Sequence, residues 1–121
     1  MAKPDESNII ALKSYAFALR TIKAYKYLTE HNEYILSKQL LRSGTSIGAN
    51  CREAKNAQSR LDFINKLNIA LKEADETAYW LELLHDGNFI DSNSFNSVYN
   101  DCIELIKLLT SIIKTTKDTA N

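Results

Sequence analysis

Glycine occurs only three times and proline once in 121 residues. That leaves too little chain-reversing punctuation for a β-sandwich or barrel built on many tight turns. The one proline stands at position 4, so nothing of that kind interrupts the rest of the chain, and long helices are expected. No apolar run approaches the roughly 20 residues that a membrane span needs. Met1–Lys13 lacks the apolar core of a secretion signal, so the sequence reads as a soluble, cytoplasmic protein with no membrane partner. There are two cysteines, Cys51 and Cys102. Each falls inside a helical pattern and reads as a small buried hydrophobe rather than part of a disulfide framework or zinc site.

Histidine is as scarce. A di-iron centre in a helical bundle needs two Glu-x-x-His pairs. Glu82 and His85 make one, whereas His31 has no Glu three residues before it. No glycine-rich loop followed by a Lys is present for nucleotide phosphates, and no nucleophile lies beside a positioned base. No metal, cofactor or enzymatic activity is therefore expected. One composition runs throughout, and the length suffices to bury about two-thirds of the unfolded surface, which gives a single domain over 1–121.

Charge is balanced, with 15 basic and 15 acidic side chains and a pI near 6.7. This argues against the strongly basic balance of many nucleic-acid binders. The balance hides a division. Up to Lys72 twelve basic residues meet six acidic ones, and from Glu73 onward three meet nine. Three arrangements follow: the halves neutralise each other within one subunit, they meet head-to-tail between subunits, or a basic face stays free for phosphates.

Apolar spacing predicts four helices, over about 8–29, 33–56, 60–86 and 92–115. In the first, Ala11, Tyr15, Ala18, Ile22 and Tyr25 recur at alternating four and three and form the expected bundle seam. A second stripe, Ile10, Phe17 and Ala24 with Leu28 close by, exceeds what one partner groove requires and is the candidate oligomer interface. The second helix has a seam of Leu36, Leu40, Ser43, Ile47, Cys51 and Ala54. It also carries Gly44 and Gly48, each costing roughly 1 kcal/mol in helix propensity, which implies close approach of another helix or a bend. The third helix opens on Ser59 and Asp62, a capping-box variant, and is expected to bury Phe63, Leu67, Ala70, Ala74, Thr77, Leu81 and Leu84. Gly87 is the expected left-handed cap. The fourth follows candidate caps Asp91, Ser92 and Ser94 and is expected to bury Phe95, Val98, Cys102, Leu105, Leu109 and Ile112. Thr115–Asn121 is expected to fray. Short connections between such helices make an antiparallel up-down-up-down bundle.

The most specific pattern is polar. Gln39, Arg42, Ser46, Asn50 and Glu53 are spaced to share one face of the second helix, and Glu73 and Glu76 share a face of the third with Ile69, Trp80 and Leu83. Arg42 or Arg52 can pair with these carboxylates. Such a row serves as a satisfied network fixing register or subunit contact, as a binding site, or, through its paired carboxylates, for acid and base work. Lys13, Arg20 and Lys23, with Lys55 and Arg60, are the candidate nucleic-acid stripe, Tyr27 offering a stacking surface. A solvated helix face accounts for the same residues.

The stretches LSKQLLRSGTSIGANCREA (Leu36–Ala54) and DFINKLNIALKEADETAYWLELL (Asp62–Leu84), with SYAFALRTIKAYKYL before them, carry a resemblance. They resemble the bacterial four-helix-bundle family that includes proteins encoded in intervening sequences of large-subunit ribosomal RNA genes. By that resemblance Gln39, Arg42, Ser46, Ile47, Asn50 and Glu53 are the second-helix motif, and Phe63, Leu67, Ala70 and Glu76 its third-helix counterpart. It implies an all-α, left-handed antiparallel bundle, often a five-membered ring, with no established enzymatic activity. More distantly the chain is similar to retroelement accessory proteins, which form such rings, bind nucleic acid and contact a reverse transcriptase. The resulting expectation is a non-enzymatic homo-oligomer, a pentamer by resemblance, serving as an assembly or adaptor module. The alternative is an accessory protein that binds RNA or a nucleoprotein through a basic face.

Overall fold

The computed structural model describes residues 4–119. In these the four helices are α1 (Pro4–Glu30), α2 (Leu36–Lys55), α3 (Arg60–Asp86) and α4 (Ser92–Asp118), with no strand among the described residues. Pro4 takes the first helical position of α1, where a missing N–H costs nothing. The bounds of α3 are those expected. α2 starts later than the expected Glu33, because Glu33 acts as its cap. The buried Glu33 carboxylate accepts from the backbone N–H groups of Ser37 at 2.6 Å, Leu36 at 3.1 Å and Ile35 at 3.2 Å. The expected fraying from Thr115 does not occur through Asp118. There the Thr116 hydroxyl bonds the Ile112 carbonyl at 2.7 Å and Arg60 of α3 donates to the Thr119 carbonyl at 3.2 Å. Ala120 and Asn121 lie outside the described residues.

Two of the three chain reversals are built alike. After α1, Glu33 N–H reaches the Leu28 carbonyl at 2.8 Å, and after α3, Phe89 N–H reaches the Leu84 carbonyl at 2.8 Å. These are the six-to-one bonds that close a helix end. Asn32 (φ 69°) and Asn88 (φ 67°) supply the left-handed residues. Gly87, expected in that role, has φ −81°. It is needed for space, since a β-carbon there would lie 2.9 Å from the Leu83 carbonyl oxygen. The third reversal starts α3. Ser59 accepts from Asp62 N–H at 3.0 Å, while the Asp62 carboxylate reaches back to Gln58 N–H at 3.4 Å rather than to the cap residue itself. Asp91 caps α4 by accepting from Ser94 N–H at 2.7 Å, and that bond holds its carboxyl below the usual carboxylate range.

The helices form an antiparallel bundle in which α1 packs on α2, α2 on α3, α3 on α4, and α4 more lightly on α1. The expected seams of α2, α3 and α4 face the core, with Leu36, Phe63, Phe95 and Val98 at its margin and the remaining seam residues buried. For α1 the two stripes exchange roles. Ile10, Phe17 and Leu28, expected to meet another subunit, are buried in the chain's own core, with Ala24 packed beside them. Ala11, Tyr15 and Ile22 of the expected seam are exposed. The true seam is Ile10, Ser14, Phe17, Thr21, Ala24 and Leu28, an unbroken alternation of four and three that two hydroxyl residues disguise. Ser14 and Thr21 are fully buried, and each turns its hydroxyl back to its own helix, to the Ala11 carbonyl at 3.3 Å and the Ala18 carbonyl at 2.7 Å.

The glycines of α2 explain why small residues are used there. A β-carbon at Gly44 would overlap the Thr21 Cγ2 methyl and lie 3.0 Å from Thr21 Cβ; one at Gly48 would come to 3.3 Å from the Ser14 carbonyl oxygen. The cost in propensity thus reflects close approach of α1 and not a bend. Gly44→Ala should destabilise the fold by about 1–2 kcal/mol, since overpacking of about 1–3 kcal/mol outweighs the propensity gained. Gly48→Ala should stay within about 1 kcal/mol of the parent. Adding Thr21→Ser, which removes the obstructing methyl, should restore most of the Gly44→Ala loss in urea unfolding; a loss unchanged by Thr21→Ser would show that the contact does not set the helix separation.

Candidate functional site

The polar row of α2 meets α3 as a fork. Arg42 reaches Glu73 through Nη1 at 3.2 Å and Glu76 through Nη2, and its Nε donates to Gln39 Oε1 at 3.4 Å. The indole N–H of Trp80 donates to the same Glu76 oxygen at 3.3 Å. One planar guanidinium therefore holds two carboxylates one helical turn apart, a task suited to its fixed geometry. Ser46 and Asn50 do not join the fork: each bonds backwards along α2, to the Arg42 carbonyl at 2.7 Å and the Ser46 carbonyl at 2.8 Å. Glu53 leaves the row for Lys66 at 3.0 Å, which raises the Lys66 pKa by favouring its charged form. Beneath the fork, buried Thr77 lies 2.8 Å from the Ser43 hydroxyl and 2.8 Å from the Glu73 carbonyl. Arg52 lies elsewhere, on the rim of a groove at the end of the bundle.

The five cations of the expected stripe do not act together. Lys13 pairs with Glu104 at 3.1 Å and Arg20 with Asp101 at 2.6 Å, Arg20 also donating to Ser97. The first half of the chain thus meets the acidic second half within one subunit. Lys55 and Arg60 line the groove that holds Arg52. Lys23 is exposed. Tyr27 already packs against His31, the rings tilted by 31° with centroids 4.2 Å apart.

The Glu-x-x-His pair is likewise engaged. Glu82 accepts from the Tyr99 hydroxyl at 2.8 Å, which pushes the Tyr99 pKa up, and His85 stacks on Phe95 and contacts Ser92. No group of three His, Cys, Asp or Glu side chains could hold a metal among the described residues. Both thiols are buried, and burial pushes Cys51 up to about 11 and Cys102 up to about 12. Cys102 donates to the Ala74 carbonyl at 3.3 Å.

The feature missed in the sequence is on the outer face of α1. Leu12 is 72% exposed, Tyr15 59%, Leu19 52% and Ile22 37%. Their spacing of three, four and three is that of a helix-packing seam, here turned to solvent. Two of the four were visible as Tyr15 and Ile22, assigned to the core.

Helix content, antiparallel order, a half-exposed arginine fork and an apolar outer stripe define an all-α four-helix bundle whose distinctive residues lie on its outer faces. The chain belongs to the 23S rRNA-intervening sequence protein family, whose sequence model matches residues 6–111. A crystal structure at 1.70 Å resolution, of a protein of unknown function from the S23 ribosomal protein family of Bacteroides thetaiotaomicron, is similar to it. The two are 58% identical, the match covers 90% of this chain and 98% of that one, and the TM-score is 0.89. No curated protein matches the chain. No helix among the described residues is long and apolar enough to cross a membrane.

The fork is half-exposed, with Arg42 at 49%, so its coupling should be modest. A double-mutant cycle of Arg42→Ala and Glu76→Ala should give roughly 0.5–1 kcal/mol, falling with added salt; a coupling several times larger would place the fork in a drier setting than the geometry shows. The thiols carry a pH dependence of definite sign. The unfolded chain releases thiol protons near the ordinary value of 9.0 while the folded chain retains them towards 11 and 12. Their contribution to stability is thus complete below about pH 9 and is lost as the pH rises through those values. At pH 8.5 both cysteines should react with a thiol reagent at least about two orders of magnitude more slowly than in denaturant, Cys102 the slower of the two; equal rates would contradict their burial.

Proposed function

We propose that this protein is a non-enzymatic assembly module that self-associates through the outer face of α1. The observation that carries this reading is the exposed stripe Leu12, Tyr15, Leu19 and Ile22. Fully burying one such side chain is worth about 1.5–3 kcal/mol, and an apolar stripe of this length on a helix with its core seam already filled is the usual mark of an interface. The family resemblance supports a closed ring, with five members as the expected number. Assembly then multiplies whatever each copy presents, including the arginine fork, and raises avidity without new contacts.

Direct RNA binding along α1 finds less support. Lys13 and Arg20, the core of the stripe expected to bind phosphates, already face Glu104 and Asp101. An RNA or nucleoprotein partner would have to use other surfaces of the assembly. Enzymatic use of Glu73 and Glu76 is disfavoured on similar grounds, since Arg42 already engages both carboxylates.

Light scattering of the purified protein, with and without nuclease, should give a defined oligomer of constant mass. Leu12→Glu with Leu19→Glu should yield a helical, folded monomer, because both side chains point away from the core. Phe17→Glu should instead unfold the chain. A wild-type monomer at all concentrations, or an unaltered oligomer in the double variant, would overturn the α1 interface.

A further inference from the structure

A groove of about 1070 Å³, lined by residues of all four helices, lies at the end of the bundle where α2 gives way to α3. Its volume is that of a small-molecule site, and the chemistry of its lining is divided. Ile10, Phe63, Leu67 and Ile112, drawn from α1, α3 and α4, give it an apolar floor. Its walls add hydroxyls whose protons are already committed: Ser14, Thr45 and Thr116 each donate to a carbonyl of their own helix, at 3.3, 2.7 and 2.7 Å, which leaves them no donor for an anion. The cations of the lining among the described residues are Arg52, Lys55 and Arg60, all exposed at its rim. The one carboxylate on that rim among the described residues, Glu53, is drawn off by Lys66. Arg60 donates to a backbone carbonyl, that of Thr119. Among the described residues neither Arg52 nor Lys55 has a carboxylate within bridging distance.

An apolar trough closed at its rim by three cations is complementary to one kind of molecule. We propose that the groove binds a single-chain amphiphile with an anionic head, the tail lying on the floor between α1, α3 and α4 and the head held by Arg52 and Arg60. A carboxylate and a phosphate monoester share the required chemistry: both accept two parallel N–H bonds from a guanidinium. A free inorganic anion lacks the tail that the floor would cover, and a neutral lipid lacks the head. The site lies within one chain, so it stands independently of self-association through α1.

The test is calorimetric titration with octanoate, decanoate and dodecanoate below their micellar concentrations, with helicity followed by circular dichroism. One site per chain is expected, with affinity rising roughly fourfold for each added methylene. Dodecanol should bind at least tenfold more weakly than dodecanoate, and Arg52→Gln with Arg60→Gln should cost dodecanoate at least tenfold. Ala49→Trp, at an exposed position on the groove wall, should block the site while leaving the fold intact. Dodecyl phosphate beside dodecanoate assigns the head, the tighter of the two naming its chemistry. No saturable binding, equal affinity for dodecanol, or wild-type binding in both the double arginine variant and Ala49→Trp would overturn the proposal.

Discussion

The close approach of α1 and α2 is the constraint from which the rest of the molecule follows. Backbones can come that near only where both helices present little side chain, and they do so at Gly44 against Thr21 and Gly48 against Ser14. Two such contacts, seven residues apart on α1, fix the rotation of that helix about its own axis. Once it is fixed, Phe17 and Leu28 have only the core to enter. Lys13 and Arg20 turn towards the acids of α4, and Leu12, Tyr15, Leu19 and Ile22 turn to solvent. A helix with two apolar faces is ambiguous in isolation; the glycines of its neighbour remove the ambiguity.

That dependence also explains where sequence reading stopped. The helices, their order and the inward faces of α2, α3 and α4 were legible because each has one dominant apolar period. On α1 the period that faces inward passes through Ser14 and Thr21, which count as polar in any pattern. Those hydroxyls are satisfied by carbonyls of their own helix, so they enter a core at little cost, and nothing local in the sequence says so. The glycines signalled a close neighbour without saying which residues it would present. A pairing of Glu73 and Glu76 with an arginine of α2 was legible from spacing, though not the choice of Arg42 over Arg52; a role for Asp91 at the head of α4 was legible too. Glu33 was not: its carboxylate caps α2 from outside the helix, a position where acidic residues are also found for no structural reason. The groove was invisible, because its lining comes from all four helices.

Opposite charge in the two halves of the chain finds its explanation in topology. In an up-down-up-down order α1 lies beside α4 and α2 beside α3, so Lys13 and Arg20 of α1 come to face Glu104 and Asp101 of α4, and Arg42 of basic α2 faces the carboxylates of acidic α3. Lys13 with Glu104, Arg20 with Asp101 and Arg42 with its two carboxylates all join one hairpin to the other. Exposed pairs of this kind add little to stability. They distinguish the native docking of the two hairpins from its alternatives, because like charges would face each other if a hairpin were turned over.

The two Asn-closed reversals bear on time rather than on shape. Each closes its hairpin through a bond from the residue after the asparagine to a leucine carbonyl five positions earlier, so the first hairpin is specified entirely by residues before Asn56. Contacts this local carry a small loop-closure cost and form early. During synthesis from the N-terminus, α1 and α2 can therefore pair before α3 has left the ribosome, and the second hairpin is delivered to a partner already in place.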